Sequence, residues 1–305
     1  MKLIKVCFLV LLAVVGLSAN EDLIVYKVDN TEGKITAKTI EDSLAKSGYS
    51  VQENRDMNGP FKLEFKKTNF AIYNLLIAYH KILAPELVSK FPRAGIFVPF
   101  SVAIYQKKDD KFLYVSLLSA KGMSKVVGGG DALYKKLEAE NKKAFLKALP
   151  GAKEEKLAYK SLPTDKKLFT EYTVEVEEDD AEDNKEELQM VFEGGLKPIG
   201  FIMASFNEFG VDLDEAKNED YEFYDAYSLC KLKVIYNISI THPEAGAYAP
   251  CTMAVYHKKG SGKTTFVFPN VHNWVSTLAL KDKKLIELLD KAQTDIEALL
   301  VNVTE

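Results

Sequence analysis

The sequence has few of the residues from which reactive sites are built. It contains 3 cysteines, 4 histidines and 1 tryptophan among 305 residues. It has no Cys-x-x-Cys-His stretch, which excludes covalent haem attachment, and no Gly-x-Ser-x-Gly nucleophile elbow. No serine or cysteine has a persuasive local histidine partner for nucleophilic catalysis. The sequence therefore names no catalytic residue and requires no cofactor. We favour a non-enzymatic protein over a hydrolase or isomerase.

An excess of positive charge is also missing. The chain has 40 Lys and Arg against 44 Asp and Glu, a formal net charge of -4, and no basic stripe interleaved with aromatic residues. A mildly acidic protein repels phosphate backbones. Nucleic acid is therefore not an expected partner.

Long apolar runs are absent beyond the N-terminus. There, Lys2 and Lys5 precede an apolar run over residues 6–17, and Ser18-Ala19 offers small residues for cleavage. This run is shorter than the roughly 20 residues that cross a bilayer. We predict a signal peptide over residues 1–19, cleaved near Ala19, and a periplasmic or secreted protein without a stable membrane anchor.

An internal repeat organises the rest of the chain. A set of matched residues recurs 151 positions later, among them Pro99 with Pro250, Ala103 with Ala254, Tyr105 with Tyr256, Tyr73 with Tyr224 and Pro92 with Pro243. One offset holds from about residue 64 to residue 148. Pro150-Gly151 is the natural junction, so we expect one domain over residues 20–150 and a second over residues 151–305.

The hydrophobic pattern predicts the same order of elements in each half. In the first half it predicts a strand, a short helix, a hairpin around Asn58-Gly59, a long helix, a second hairpin and a final helix, at 23–28, 39–46, 49–67, 69–90, 96–118 and 131–149. In the second half it predicts strands, a long helix, a hairpin and a final helix, at 168–176, 199–207, 221–232, 249–268 and 282–300. We interpret the acidic run 177–187 as a solvated loop that leads into a helix.

The second hairpin of each half carries a resemblance to a known family. The stretches PRAGIFVPFSVAIYQKKDDKFLYVS and PEAGAYAPCTMAVYHKKGSGKTTFVFP resemble the domain-of-unknown-function 302 family, although Phe100 replaces the cysteine of its Pro-Cys pair. The stretches NGPFKLEFKKTNFAIYNLLIAYHK and NVHNWVS are similar to an exported two-domain bacterial subgroup. The resemblance implies an α+β fold of two tandem TATA-binding-protein-like domains, each an antiparallel sheet with helices packed on one face. It implies no activity.

Two cysteines remain after removal of the signal peptide. Cys230 and Cys251 correspond to Tyr79 and Phe100 of the first half, which are bulky residues expected to face the core. The two cysteines are therefore candidates for buried free thiols. An oxidising compartment also permits a disulfide between them, and a reactive redox thiol is a third alternative.

Soft metal ligands are grouped on the second hairpin. Alternation along a strand places Cys251, Met253 and His257 on one side, and His242 is the nearest additional candidate ligand. Sulfur and imidazole together are accepted by copper(I) or haem iron. Phe100, the counterpart of Cys251, instead predicts that this stripe faces the core and that Cys251 and Met253 are packing residues.

Aromatic residues suggest a binding site in the second half. We expect Tyr224, Tyr227, Tyr256 and Trp274 to lie close together, in a cleft able to hold a small apolar or planar ligand. The leading interpretation is an exported accessory module that binds such a ligand or a periplasmic protein, with its two repeats paired about an approximate two-fold axis. The alternative is a redox, metal- or haem-handling protein that uses the Cys, Met and His residues of the second repeat.

Overall fold

A computed structural model describes residues 20–176 and 181–304. The predicted signal peptide and residues 177–180 of the acidic run lie outside this part of the chain. The elements of repeat 1 are β1 (Leu23–Asp29), α1 (Ala37–Ala45), β2 (Tyr49–Asp56), α2 (Asn58–Phe65), β3 (Phe70–His80), α3 (Leu83–Lys90), the first proline turn (Pro92–Phe97, a 3-10 helix), β4 (Phe100–Lys107), β5 (Phe112–Leu118), α4 (Ala120–Val127) and α5 (Asp131–Ala148).

Repeat 2 has the same elements in the same order, after a short linker strand β6 (Lys153–Glu154). They are β7 (Phe169–Glu175), α6 (Ala181–Leu196), β8 (Ile202–Asn207), α7 (Gly210–Glu215), β9 (Tyr221–Cys230), α8 (Leu232–Ser239), the second proline turn (Pro243–Tyr248, a 3-10 helix), β10 (Cys251–Lys258), β11 (Lys263–Pro269), α9 (His272–Thr277) and α10 (Lys283–Thr304).

Two antiparallel sheets with one topology confirm the tandem α+β fold. The first has the strand order β2-β3-β4-β5-β1-β6 and the second has the order β7-β11-β10-β9-β8. If β6 is left out and the second order is reversed, each strand of the first sheet stands at the position of its counterpart in the second sheet. The β4–β5 and β10–β11 hairpins and the final helices α5 and α10 lie close to their predicted positions. No helix among the described residues has both the length and the apolar character needed to cross a membrane.

Three predicted elements are wrong. The long helices expected at 69–90 and 221–232 are the strands β3 and β9, each followed by a short helix. Of the strand pair expected around Asn58-Gly59, the first strand is present as β2, but the second is replaced by a helix, because α2 covers Asn58–Phe65. Both β3 and β9 are buried along almost their whole length, so they lack the alternation that marks a strand with one exposed face.

Each sheet packs its own helices against one face. In repeat 1, Ile40 and Leu44 of α1 and Phe145 of α5 join a cluster with strand residues such as Val115. In repeat 2, helices α6 and α10 cover the corresponding face of the second sheet through residues such as Phe192, Leu196, Ile296 and Leu300. This is the predicted arrangement of helices on one face of each sheet.

The opposite face of each sheet is covered by the other repeat. Tyr73 and Ala103 of the first sheet share a buried cluster with Ile235 and Ala245 of repeat 2. Reciprocally, Tyr224 and Ala254 of the second sheet share a cluster with residues of repeat 1, including Leu87, Ala94 and Phe97. Both sheets are therefore buried on two faces, and neither repeat has a complete core of its own.

Some of the hydrogen bonds between the repeats come in matched pairs. The Tyr73 hydroxyl donates to the Pro243 carbonyl at 3.1 Å, and the equivalent Tyr224 hydroxyl donates to the Pro92 carbonyl at 2.7 Å. Ser101 donates to the Pro250 carbonyl at 2.5 Å, and its counterpart Thr252 donates to the Pro99 carbonyl at 2.8 Å. The pairing follows the 151-residue offset found in the sequence, so the two repeats are related by an approximate two-fold axis.

The proline turns reach so close to the opposite sheet that each needs a glycine. A Cβ atom built on Gly95 would lie 1.8 Å from the Tyr224 hydroxyl oxygen. A Cβ atom on the equivalent Gly246 would lie 2.6 Å from the Cβ of Ala103 and 2.7 Å from Leu75. Steric contact thus accounts for the repetition of Ala-Gly in both turns.

Candidate functional site

Repeat 2 contains an apolar cavity of about 60 Å³. It lies where the ends of β9 and β10 meet α8, α9 and α10, and we call it the repeat-2 cavity. Its lining residues are almost all apolar and comprise Phe201, Leu229, Cys230, Lys231, Val234, Ile235, Ala249, Cys251, Met253, Phe268, Pro269, Val271, Trp274, Leu289, Ala292, Gln293 and Ile296.

The duplication explains where this space comes from. In repeat 1, Phe100 packs edge-on against Tyr49 with ring centroids 6.2 Å apart, and the Tyr49 hydroxyl donates to Asn141 at 2.8 Å. The counterparts of Phe100 and Asn141 in repeat 2 are Cys251 and Ala292, which are both smaller and both line the cavity. Repeat 2 therefore lacks the ring and the hydrogen-bonded amide that repeat 1 places at these positions.

Both cysteines face the repeat-2 cavity as free thiols. Cys251 pairs across the sheet with Leu229, the neighbour of Cys230, and its thiol donates to the Tyr248 carbonyl at 3.0 Å. Burial raises the pKa of each thiol to about 12. The sulfur atoms are therefore protonated at neutral pH, and they add to the apolar character of the lining.

The lining polar groups already have partners. Lys231 forms an ion pair with Asp295 at 2.6 Å and lies over the Phe201 ring. Gln293 accepts a hydrogen bond from the Val271 backbone N–H at 3.0 Å and donates to Glu297 at 2.6 Å. The cavity thus offers a ligand mainly apolar contacts.

The four predicted metal ligands do not converge. Cys251 and Met253 both line the repeat-2 cavity, but His257 lies six residues beyond Cys251 on β10, which is about 20 Å along an extended strand. His257 is buried beside Thr264, with 3.1 Å between Nδ1 and Oγ1. His242 begins the second proline turn, where its ring contacts Tyr159 and burial lowers its pKa. Across the described ranges, no three His, Cys, Asp or Glu side chains are placed to share a metal ion.

The four predicted cleft aromatics do not all come together, although Tyr224 and Tyr256 do. Tyr224 stacks on Tyr256 with 5.2 Å between ring centroids, on the face that repeat 1 covers. Tyr227 packs against Phe192 on the opposite face. Trp274 stacks on Tyr248, and it is the member of the predicted set that lines the repeat-2 cavity. The prediction assumed a helix, whereas residues three apart on a strand point to opposite faces.

Sequence reasoning missed the part of the lining that comes from α8 and α10. Val234 and Ile235 of α8 and Leu289, Ala292 and Ile296 of α10 complete the cavity wall. A signal was present in the repeat alignment, where Ala292 stands opposite Asn141 and Cys251 opposite Phe100. Two reductions in size at equivalent positions indicate a space that is larger in repeat 2, at about 60 Å³, than in repeat 1, at about 30 Å³.

Comparison with known families agrees with this duplicated architecture. The sequence profile described as "Domain of unknown function DUF302" matches residues 25–148 and again residues 181–303. The chain belongs to this family. Its two DUF302 regions cover most of the two sheets and their helices, although the second region begins after β7. The family description assigns no function.

Among solved structures, a similar one is the crystal structure of an uncharacterized conserved DUF302 protein from Bacillus stearothermophilus. It is 19% identical, with a TM-score of 0.36, and the match covers 45% of this chain and 98% of that one. No curated protein matches the chain.

Proposed function

We propose that this DUF302 protein is an exported, non-enzymatic binding protein that holds a small apolar molecule in the repeat-2 cavity. The observation that carries the proposal is the difference between the repeats at Cys251 and Phe100, because the cavity in repeat 2 has a volume of about 60 Å³ whereas the one beside Phe100 and Asn141 has about 30 Å³. Export is supported by the charged and apolar pattern of residues 1–19.

The chemistry of the lining supports an apolar ligand over a polar one. The thiols are neutral, and Lys231 and Gln293 are engaged by Asp295 and by Val271 and Glu297. A polar ligand would lose hydrogen bonds to water without recovering them inside the cavity. Apolar cavities in proteins stay dry and take up benzene or xenon.

The test uses the single tryptophan of the chain, Trp274, which lines the cavity. Xenon fits a small cavity and quenches tryptophan emission when it binds beside the indole. We expect saturable quenching in the native protein and its loss in Cys251→Phe, which restores the ring of repeat 1. Benzene, titrated in the same way, tests whether the cavity accepts a larger molecule.

The matched control is Ile82→Phe, which adds a ring at a side chain that is 74% exposed and belongs to repeat 1. Xenon quenching should be unchanged in this variant. Circular dichroism of both variants establishes that they fold. Quenching that rises linearly with xenon pressure, or that is equal in the native and Cys251→Phe proteins, would contradict a ligand site in the repeat-2 cavity.

A second candidate function is the handling of a soft metal ion. It is favoured by one observation, that the sulfur-bearing residues Cys230, Cys251 and Met253 line the same cavity. Thiolates and thioethers are the ligands preferred by copper(I), which also displaces thiol protons as it binds. His242 and His257 take no part in this version of the site.

Copper(I) titration under anaerobic conditions, against a coloured chelator, distinguishes the two candidates. A copper site predicts one tightly held ion per chain, lost in Cys230→Ser/Cys251→Ser and weakened in Met253→Leu. The control is Met190→Leu, at a methionine that is 76% exposed. Retention of no copper by the native protein, or equal retention by the serine variant, eliminates the metal-handling candidate.

A further inference from the structure

A second cleft lies between the repeats, away from the repeat-2 cavity. It has a volume of about 450 Å³, and we call it the open cleft. Its floor is the repeat-1-facing side of the second sheet near β7, including Thr173 and Tyr256. Its wall is the segment around Arg93 at the start of the first proline turn.

The open cleft is basic in an acidic protein. Lys90, Arg93, Lys258 and Lys263 line it together with one carboxylate, Glu171. Glu171 is already held by Arg93 through two hydrogen bonds of 2.5 and 2.8 Å. Within the part of the chain that the structure describes, Lys258 and Lys263 form no ion pair. The Lys258 ammonium lies 5.5 Å from the centroid of the Tyr221 ring. Two lysines without an ion-pair partner among the described residues therefore line the cleft, although the chain as a whole has a net charge of -4.

The two-fold relation gives the open cleft a counterpart on the first sheet. By sequence offset and strand register, Glu244, Tyr105 and Lys27 are the counterparts of Arg93, Tyr256 and Thr173. That position is occupied by the linker between the repeats. β6 of the linker pairs with β1, and the Glu155 backbone N–H donates to the Val25 carbonyl at 2.7 Å.

Two side chains of the linker also occupy the position on the first sheet that corresponds to the open cleft. Leu157 packs against the buried cluster that contains Tyr105, and the Tyr159 hydroxyl donates to the Glu244 carboxylate. Glu155 forms an ion pair with Lys27 at 3.3 Å. The chain itself therefore shows the mode of occupation, which is an extended peptide that adds to the sheet edge and then fills the cleft.

On the second sheet the equivalent edge has no added strand among the described residues. β7 is the outermost strand, whereas β1 is followed by β6. An unpaired strand edge beside a cleft is a template for an extended partner. Because lysines line the open cleft, a partner with negative charge fits it best.

We propose that the open cleft binds an extended acidic segment of a partner protein, which pairs with β7 as β6 pairs with β1 and places carboxylates at Lys258 and Lys263. The site is separate from the repeat-2 cavity, so its occupation does not depend on the ligand proposed there. Charged pairs of this kind set specificity and association rate.

The experiment uses fluorescence polarisation with the purified full chain and labelled heptapeptides derived from the linker. The probe is EEEELAY, in which both lysines of the linker sequence KEEKLAY are replaced by glutamate. We expect saturable binding at low ionic strength, weakened at 0.5 M salt, and roughly tenfold weaker binding to Lys258→Glu/Lys263→Glu. A peptide with prolines at alternate positions should fail to bind, because it cannot donate hydrogen bonds to β7.

The matched control is Lys107→Glu, since Lys107 is the counterpart of Lys258 on the sheet whose cleft the linker fills. This variant should bind the probe as the native chain does. Circular dichroism confirms the folding of each variant. The proposal is overturned if EEEELAY does not bind, if KKKKLAY binds equally well, or if the Lys258→Glu/Lys263→Glu change has no effect. Displacement of the probe by free glutamate or phosphate at equal charge overturns it in favour of a small-anion site.

Discussion

Cys251 and Phe100 show how a single residue can make two copies of one domain inequivalent. The positions are equivalent in sequence and in sheet register, yet one carries a ring and the other a small sulfur group. The smaller side chain of Cys251 matters because the atoms that line the repeat-2 cavity have no packing partner on the side of the cavity. A ligand that fills the repeat-2 cavity would restore those contacts.

The buried thiols give a prediction at the same scale. Because Cys230 and Cys251 have a pKa of about 12, we expect iodoacetamide to label them at pH 8 much more slowly in the native protein than after unfolding. In urea without reductant both should react, as counted by mass spectrometry of the labelled peptides. If neither cysteine is labelled in urea until a reductant is added, the two form a disulfide and the prediction is wrong.

The same pKa shift sets the direction of a pH effect. A thiol that ionises near pH 12 in the folded state and near 9.0 when exposed contributes stability that is complete below pH 9. That contribution falls as the pH rises from 9 towards 12. Burial shifts several tyrosines in the same direction, including Tyr224 and Tyr227. Urea midpoints should therefore decline above pH 9.

At the scale of elements, the proline turns are the parts that carry the contact between repeats. We predict that Gly246→Ala lowers the free energy of unfolding by about 1–3 kcal/mol, since its new methyl group would overlap Ala103 and Leu75. The measurement is urea denaturation followed by circular dichroism.

The control for this prediction is Gly59→Ala in α2, where a Cβ atom meets nothing within 4 Å. It should leave stability unchanged or raise it slightly, because alanine favours a helix. Equal stability of the Gly246→Ala and native proteins would show that the second proline turn can move away from the first sheet.

Element prediction from sequence succeeded where a face is exposed or a turn is marked. The β4–β5 and β10–β11 hairpins and helices α5 and α10 were identified in this way. It failed at β3 and β9. Along β3 and into α3, Ile72, Leu76, Tyr79 and Leu83 match helical spacing by coincidence. These strands are buried on both faces because the other repeat covers the face that the sheet's own helices leave free. The sequence pattern of one strand does not show that a second repeat packs on it.

The candidate site was predicted only in part for the same reason. Cys230, Cys251, Met253 and Trp274 were identified and do line one cavity. Tyr224 and Tyr227 were assigned to one cleft because β9 was taken for a helix. In a strand, successive side chains point to opposite faces of the sheet, so Tyr224 and Tyr227, three residues apart, lie on different faces.

At the scale of the whole molecule, the shared clusters predict one cooperative unfolding transition. Trp274 reports on repeat 2, whereas circular dichroism reports on both repeats. We expect Ile104→Ala, at a fully buried residue of repeat 1, to lower the urea midpoint of the Trp274 signal as much as that of circular dichroism. The expected loss is about 2–5 kcal/mol.

Cooperativity follows because Tyr73 and Ala103 of repeat 1 pack with Ile235 of repeat 2, so neither sheet keeps its second face covered when the other unfolds. The control is Val191→Ala, at a residue of α6 that is 45% exposed, which should move neither midpoint appreciably. A Trp274 midpoint that stays in place in Ile104→Ala, while the circular dichroism curve splits into two steps, would show independent repeats.

The interlocked proline turns restrict how this protein can be recombined. Consider a chimera that joins the first repeat of one relative to the second repeat of another. Its proline turns would pack against sheets with different side chains, and the close contacts would not fit. The outer helices α1, α5, α6 and α10 contact mainly their own sheets, so grafts confined to them should be tolerated. A sheet can therefore exchange its outer helices. The two proline turns and the sheet faces they contact must come from the same parent protein.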